Sequence, residues 1–322
     1  MGLLRVHPAT MRTAAVAAVL LLGAAAIPAR LAAAEVTRDR DERFLDGLDR
    51  RGLDRLAAIY CRDLLAQPGV TPAKQAMLNA RWARALAQQA VAAPPGQGEA
   101  LWREAHEVAQ RFLRTSPDNP RRVLVQFQDA LIHLARGELA RQQADVVLDG
   151  RALLEEAAVE LREAVARLEP LAGTVETAQR AGQDDDRRAD RMSAEELASL
   201  GQRARYELAR ARRNQALCFA ADSPDRAHAL NRAVELLEPL ASLDADHPLV
   251  WQSRLQLAAC WRLLGDHAAA ARQLDALAAR QPPAEIRLEA QAEQIQLALD
   301  AERLDEAVAL LALPPRIDGV AS

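Results

Sequence analysis

Five histidines follow Glu35: His106, His133, His228, His247 and His267. A metal site needs such side chains one helical turn apart, or beside a cysteine, with a carboxylate behind them. These five are scattered and two of them fall at turns, so they read as structural or surface residues. Asp184, Asp185, Asp186 and Asp190 offer oxygen ligands for a hard cation. They lack the glycine and the closing glutamate of a calcium loop, and a solvated charge run is the reading that fits. No glycine-rich phosphate loop, HExxH pair, paired CxxC or nucleophile elbow occurs. No metal or cofactor is expected, and a catalytic carboxylate pair has no support beyond the number of acidic residues. Arg203, Arg210 and Arg213 lie with Tyr206 at helical spacing on one predicted helix. They form either a basic, aromatic-tipped face or a stripe paired within the chain, and the second is the usual fate of such charges. Cys61, Cys218 and Cys260 are an odd set among apolar neighbours. They read as buried small hydrophobes, with a Cys218–Cys260 bridge as the alternative.

The elements that must hold these residues are helices. Half of the 322 residues are hydrophobic but only 3% are aromatic. Alanine, leucine and valine therefore carry the core, a composition suited to closely packed helices rather than to sheets. Apolar residues recur at spacings of three and four, as in Leu124, Phe127, Leu131 and Leu134, and no sustained alternation predicts a strand. Punctuation is regular: Gly52, Pro68-Gly69, Pro94-Pro95-Gly96, Pro117, Pro224, Pro248, Gly265-Asp266 and Pro282-Pro283. Such residues stop one helix and start the next.

Residues 1–34 have the parts of an export signal: Arg5 and Arg12, an apolar run over 13–27, then Ala32-Ala33-Ala34. The run is short for a bilayer span, which takes about 20 residues. The expected mature chain is exported, periplasmic or secreted, with no membrane span. Losing Arg5, Arg12 and Arg30 makes it more acidic than the −4 of the full sequence. That balance argues against nucleic acid, which asks for a concentrated basic face.

Two blocks repeat at one offset of 69 residues. Glu138-Leu139-Ala140-Arg141 recurs as Glu207-Leu208-Ala209-Arg210, and the block from Ala164 through Pro170 to Ala172 recurs from Ala233 through Pro239 to Ala241. Pro170 and Pro239 should end or kink their helices near Glu169 and Glu238. The acidic and basic run about residues 183–192 is expected to be an exposed insertion.

Over residues 251–284, Arg254, Leu257, Ala258, Trp261, Ala270, Leu274 and Pro282 stand at the spacings of the W-x2-L-G-x2-Y, A-x3-F, P repeat pattern. Arg254 departs from it, replacing the first aromatic. On these residues the chain resembles the tetratricopeptide (TPR) repeat superfamily. Phe44, Leu45, Leu48, Gly52, Ala57 and Cys61 give a weaker copy, Trp102, Ala105, Phe112 and Pro117 part of one, and Ile295, Leu299, Leu304 and Ala307 begin another. The resemblance implies an all-α fold, a right-handed α-solenoid of stacked antiparallel hairpins, as one domain over residues 35–322, with some helices longer than standard. It implies a non-enzymatic scaffold binding partner proteins or peptides along a concave face. By the family's geometry, Gln252, Leu255, Ala259 and Arg262 face that groove. The family's peptide-terminus clamp has no match, because Lys74 is the only lysine. Two rivals stand beside this reading: the helical part of an envelope glycan-processing enzyme, and the N-terminal portion of a larger TPR protein.

Overall fold

The computed structural model describes residues 40–181, 191–243 and 247–313, which form twelve helices and no strand among the described residues. Residues 1–34, expected to be an export signal, most of the acidic insertion and Pro314-Pro315 lie outside the described residues. The chain divides into two compact units at Val146–Val147.

The first unit contains α1 (Arg40–Asp49), α2 (Asp54–Leu65), α3 (Pro72–Ala92), α4 (Glu99–Thr115) and α5 (Arg122–Ala144). Thr71 caps α3 by accepting from the Lys74 amide, and Pro72 supplies the preset φ of a first helical residue. Helix α3 packs on α2, α4 and α5, and α4 packs on α5. Leu45, Cys61, Leu78, Trp102, Phe112 and Val125 fill the core between them. Alanines let the helices close up: Ala76, Ala83, Ala105 and Ala109 are fully buried. Gly98, just before α4, sits so near α3 that a β-carbon there would lie 2.8 Å from the Ala90 carbonyl oxygen.

The second unit runs through α6 (Arg151–Ala181), α7 (Ala194–Ala216), α8 (Pro224–Ala241), α9 (Pro248–Leu263), α10 (His267–Ala278), α11 (Ala284–Asp300) and α12 (Leu304–Ala312). Each helix packs on the next, and α9 also meets α7 and α11. Ser193 and Glu196 exchange side-chain and backbone bonds in a capping box at the start of α7. His247 caps α9 and Asp266 caps α10. Between α9 and α10, Gly265 takes φ +83°, the Asp266 amide donates to the Trp261 carbonyl at 3.0 Å, and the Gly265 amide donates to that of Arg262 at 2.9 Å. This double bond closes α9 and turns the chain. Ala258 and Ala270 are fully buried and share one cluster with Trp251, Leu274 and Leu297.

Two expectations meet a more specific outcome. Helix α6 runs through Pro170 to Ala181 rather than ending at Glu169, and α8 ends two residues after Pro239. Leu171 and Val175 beyond the proline are buried. Burying two such side chains, at roughly 1.5–3 kcal/mol each, offsets an interior proline's cost of about 3 kcal/mol. Arg254, the residue that departs from the repeat pattern, is buried, and its Nε donates to the carbonyl of Ala241, the last residue of α8, at 2.9 Å. A cation at a helix C-terminus satisfies an orphan carbonyl and complements the helix dipole. The three cysteines are free thiols, with Cys61 and Cys260 buried and Cys218 partly so.

Candidate functional site

The residues expected to face a groove sit on α7 and α9, and most are engaged within the second unit. Glu207 is 1% exposed and accepts from Arg203 Nε at 2.7 Å and from Arg210 Nη1 at 2.9 Å. Burial pushes its carboxyl up, but the charges and hydrogen bonds of Arg210 and Arg203 outweigh that and hold it below the ordinary glutamate value. Arg210 and Arg213 also act on Glu289 of α11, whose carboxyl burial and the neighbouring Glu285 push up while the two arginines pull it back. Arg262 donates from Nε to Glu293 at 2.5 Å and from Nη1 to Asp300 at 2.6 Å, both on α11. Arg203, Arg210 and Arg262 are thus ion-paired within the unit, and Arg213 acts on Glu289 through its charge.

Of the side chains expected to face a groove, Tyr206, Leu255 and Ala259 are buried. Tyr206 is no aromatic tip: burial pushes its hydroxyl up to about 12. Leu255 packs in the cluster that includes Ile286 and Leu297 of α11. Gln252 is half-buried. For Leu255 and Ala259 the cause is the same. Helix α9 has neighbours on several sides, so it has little face left for solvent.

Two of the histidines come together in the first unit. His106 and Gln110 stand one turn apart on α4, and Asp129 and His133 one turn apart on the facing α5. His106 Nδ1 lies 2.9 Å from Asp129 Oδ1, and Gln110 Nε2 donates to Asp129 Oδ2 at 2.9 Å. The two imidazoles meet edge to face with centroids 5.3 Å apart. One donor atom from each of His106, Asp129 and His133 lies within 4.8 Å of the others. The Asp129 side chain is 4% exposed, that of His106 38%, so the cluster is anchored inside and open on one side. The half of this arrangement on α5 is visible as Asp129-x3-His133. The other half comes only from the packing of α4 on α5.

A cleft of about 470 Å³ opens beside the turn from α2 to α3, lined by Glu42, Leu64, Val70, Lys74, Met77 and Arg121. The lysine in it donates to Asp41, which also accepts from the Tyr60 hydroxyl at 2.7 Å. Those two bonds hold the Asp41 carboxyl below its ordinary value, so the cleft offers little net positive charge. No protein family, curated protein or solved structure matches this chain. The described residues are all-helical, and within each unit consecutive helices pack on one another.

Proposed function

We propose that this chain is an exported, non-enzymatic scaffold of TPR-like hairpins that holds partner proteins through helix faces its own fold does not cover. The observation that carries the reading is on α12. Leu304, Val308 and Leu311, spaced by four and three, form one stripe of that helix and are all largely exposed. On α10, Leu274 holds the place of Leu311 and is buried in a cluster with Ile286 and Leu297 of α11. The partner best suited to it is an amphipathic helix laid along the stripe, the common way of filling an apolar helical groove. Exposed Glu302 and Asp305 flank the stripe, so that helix carries lysine or arginine at its edge.

The TPR-like reading is supported by the hairpin of α9 and α10, where small buried residues and the Gly265 turn fall where the repeat pattern asks for them. The closed Arg203–Glu207–Arg210 network argues for docking on α12 rather than on α7.

The test places a photo-crosslinking residue at Val308 and at exposed His228 in the full chain, expressed in its own envelope. A helical partner crosslinked from position 308 and not from 228, and lost when Leu304→Asp and Leu311→Asp are combined, is expected. Equal crosslinking from both positions, or capture that survives the two aspartates, would overturn the proposal.

A further inference from the structure

We infer that His106, Asp129 and His133 form a binding site for a divalent transition-metal ion of the zinc, cobalt or nickel class. The inference is independent of docking on α12. Three features of the first unit carry it.

The first is the donor set. Two imidazole nitrogens and one carboxylate oxygen suit borderline cations, whereas calcium and magnesium ask for oxygen throughout. One donor atom from each residue falls within 4.8 Å of the other two, so modest rotation of the rings turns all three toward one point. The rings already stand edge to face at 5.3 Å, leaving neither stacked over the other's nitrogens.

The second is the support behind the donors. Asp129 is buried in α5, and its second oxygen is held by Gln110, one turn from His106 on α4. A carboxylate fixed on one oxygen presents the other in a set direction, which is how outer partners orient metal ligands. All the donors lie on long helices, α4 of 17 residues and α5 of 23, so the site is built on rigid elements. His106 is partly exposed, which gives an ion a way in and leaves room for water as a fourth ligand.

The third is a contrast inside the chain. Glu138 of α5 and Glu207 of α7 occupy matching places in the repeated block, and both are buried. Carried over by the same 69-residue offset, Asp129 and His133 correspond to Ala198 and Gln202. Helix α7 also has 23 residues, so this helical framework forms without the donors.

The test uses the full chain, stripped with chelator, titrated with Zn²⁺ by calorimetry and with Co²⁺ by visible absorption. Expected are one ion per chain and the bands of four- or five-coordinate Co²⁺. His106→Ala, His133→Ala and Asp129→Asn should each weaken Zn²⁺ binding by at least about tenfold, Gln110→Ala by about tenfold, and His228→Ala not at all. Circular dichroism reports whether each variant folds, and His106→Gln or His133→Gln, of similar size, replaces the alanine variant at the same position if that variant does not. Absence of stoichiometric binding by the unmutated chain overturns the inference. So do folded His106 and His133 variants that bind as the unmutated chain does, or Mg²⁺ or Ca²⁺ competing with Zn²⁺ at equal concentration.

Discussion

Helices α10 and α12 are the second helices of successive hairpins and share one register, yet their surroundings differ. Ala270 in α10 and Ala307 in α12 are both buried where each hairpin closes on itself. Four residues further on, Leu274 is 1% exposed and Leu311 is 67% exposed. Leu274 lies in a cluster with Ile286 and Leu297 of α11, the first helix of the following hairpin. Among the described residues, α12 packs chiefly on α11, its own partner. The inner apolar face of a second helix is thus covered by its hairpin, and the outer face by the hairpin that follows. Such packing is compatible with a helical repeat, in which stability is shared between neighbours.

The turns differ in the same direction. Gly265 begins the turn into α10 at a left-handed φ, and Glu302 holds the same place before α12 with φ +58°. The pattern of bonds is kept, with the Arg303 amide donating to the Ala298 carbonyl at 2.8 Å, but a side chain there strains the backbone. Asp266 caps α10, whereas Arg303 in its place gives α12 no side-chain cap. Helix α12 is therefore held less firmly at its start as well as on its outer face.

The largest break in this comparison is expected from Leu274→Ala, which should destabilise the second unit by about 2–5 kcal/mol in denaturant unfolding, while Leu311→Ala changes it by less than about 0.5 kcal/mol. Equal effects would mean that the two leucines are buried alike. Glu207→Ala should cost about 3 kcal/mol, because Arg203 and Arg210 lose the carboxylate that neutralises them. Its acid dependence has a definite sign. The folded carboxyl titrates below its ordinary value of 4.5, so its contribution is complete above that pH and is lost as pH falls through the lower folded value. The stability gap between the unmutated chain and Glu207→Gln should accordingly close in acid, as read by unfolding series at several pH values. Smallest is the repair of the α12 turn: Glu302→Gly and Arg303→Asp should each stabilise α12 by about 1 kcal/mol, seen as slower amide exchange in that helix alone.

Much of the fold is legible in local sequence because helix periods, prolines and glycines act locally. The Gly265-Asp266 turn and the helix starts at Pro224 and Pro248 follow from neighbours in the chain. What escaped depends on residues far apart. Pro170 is carried inside α6 by burial of the residues beyond it, a tertiary effect that overrides a local rule. Arg254 looks like a defect in a repeat until the carbonyl of Ala241 is placed beside it. The histidines look scattered because His106 and His133 meet only when α4 packs on α5. Tyr206 and Leu255 carry no mark in sequence of which side of a helix its neighbours will cover, and here the neighbours cover theirs.

Hydrogen–deuterium exchange across the second unit tests the lending of burial between hairpins most directly. Amides of α10 should exchange slowly, near the rate set by unfolding of the unit, and those of α12 fastest of its helices, with no change in the order when α12 alone is stabilised at its turn. Protection of α12 equal to that of α10 in the unbound chain would contradict the account.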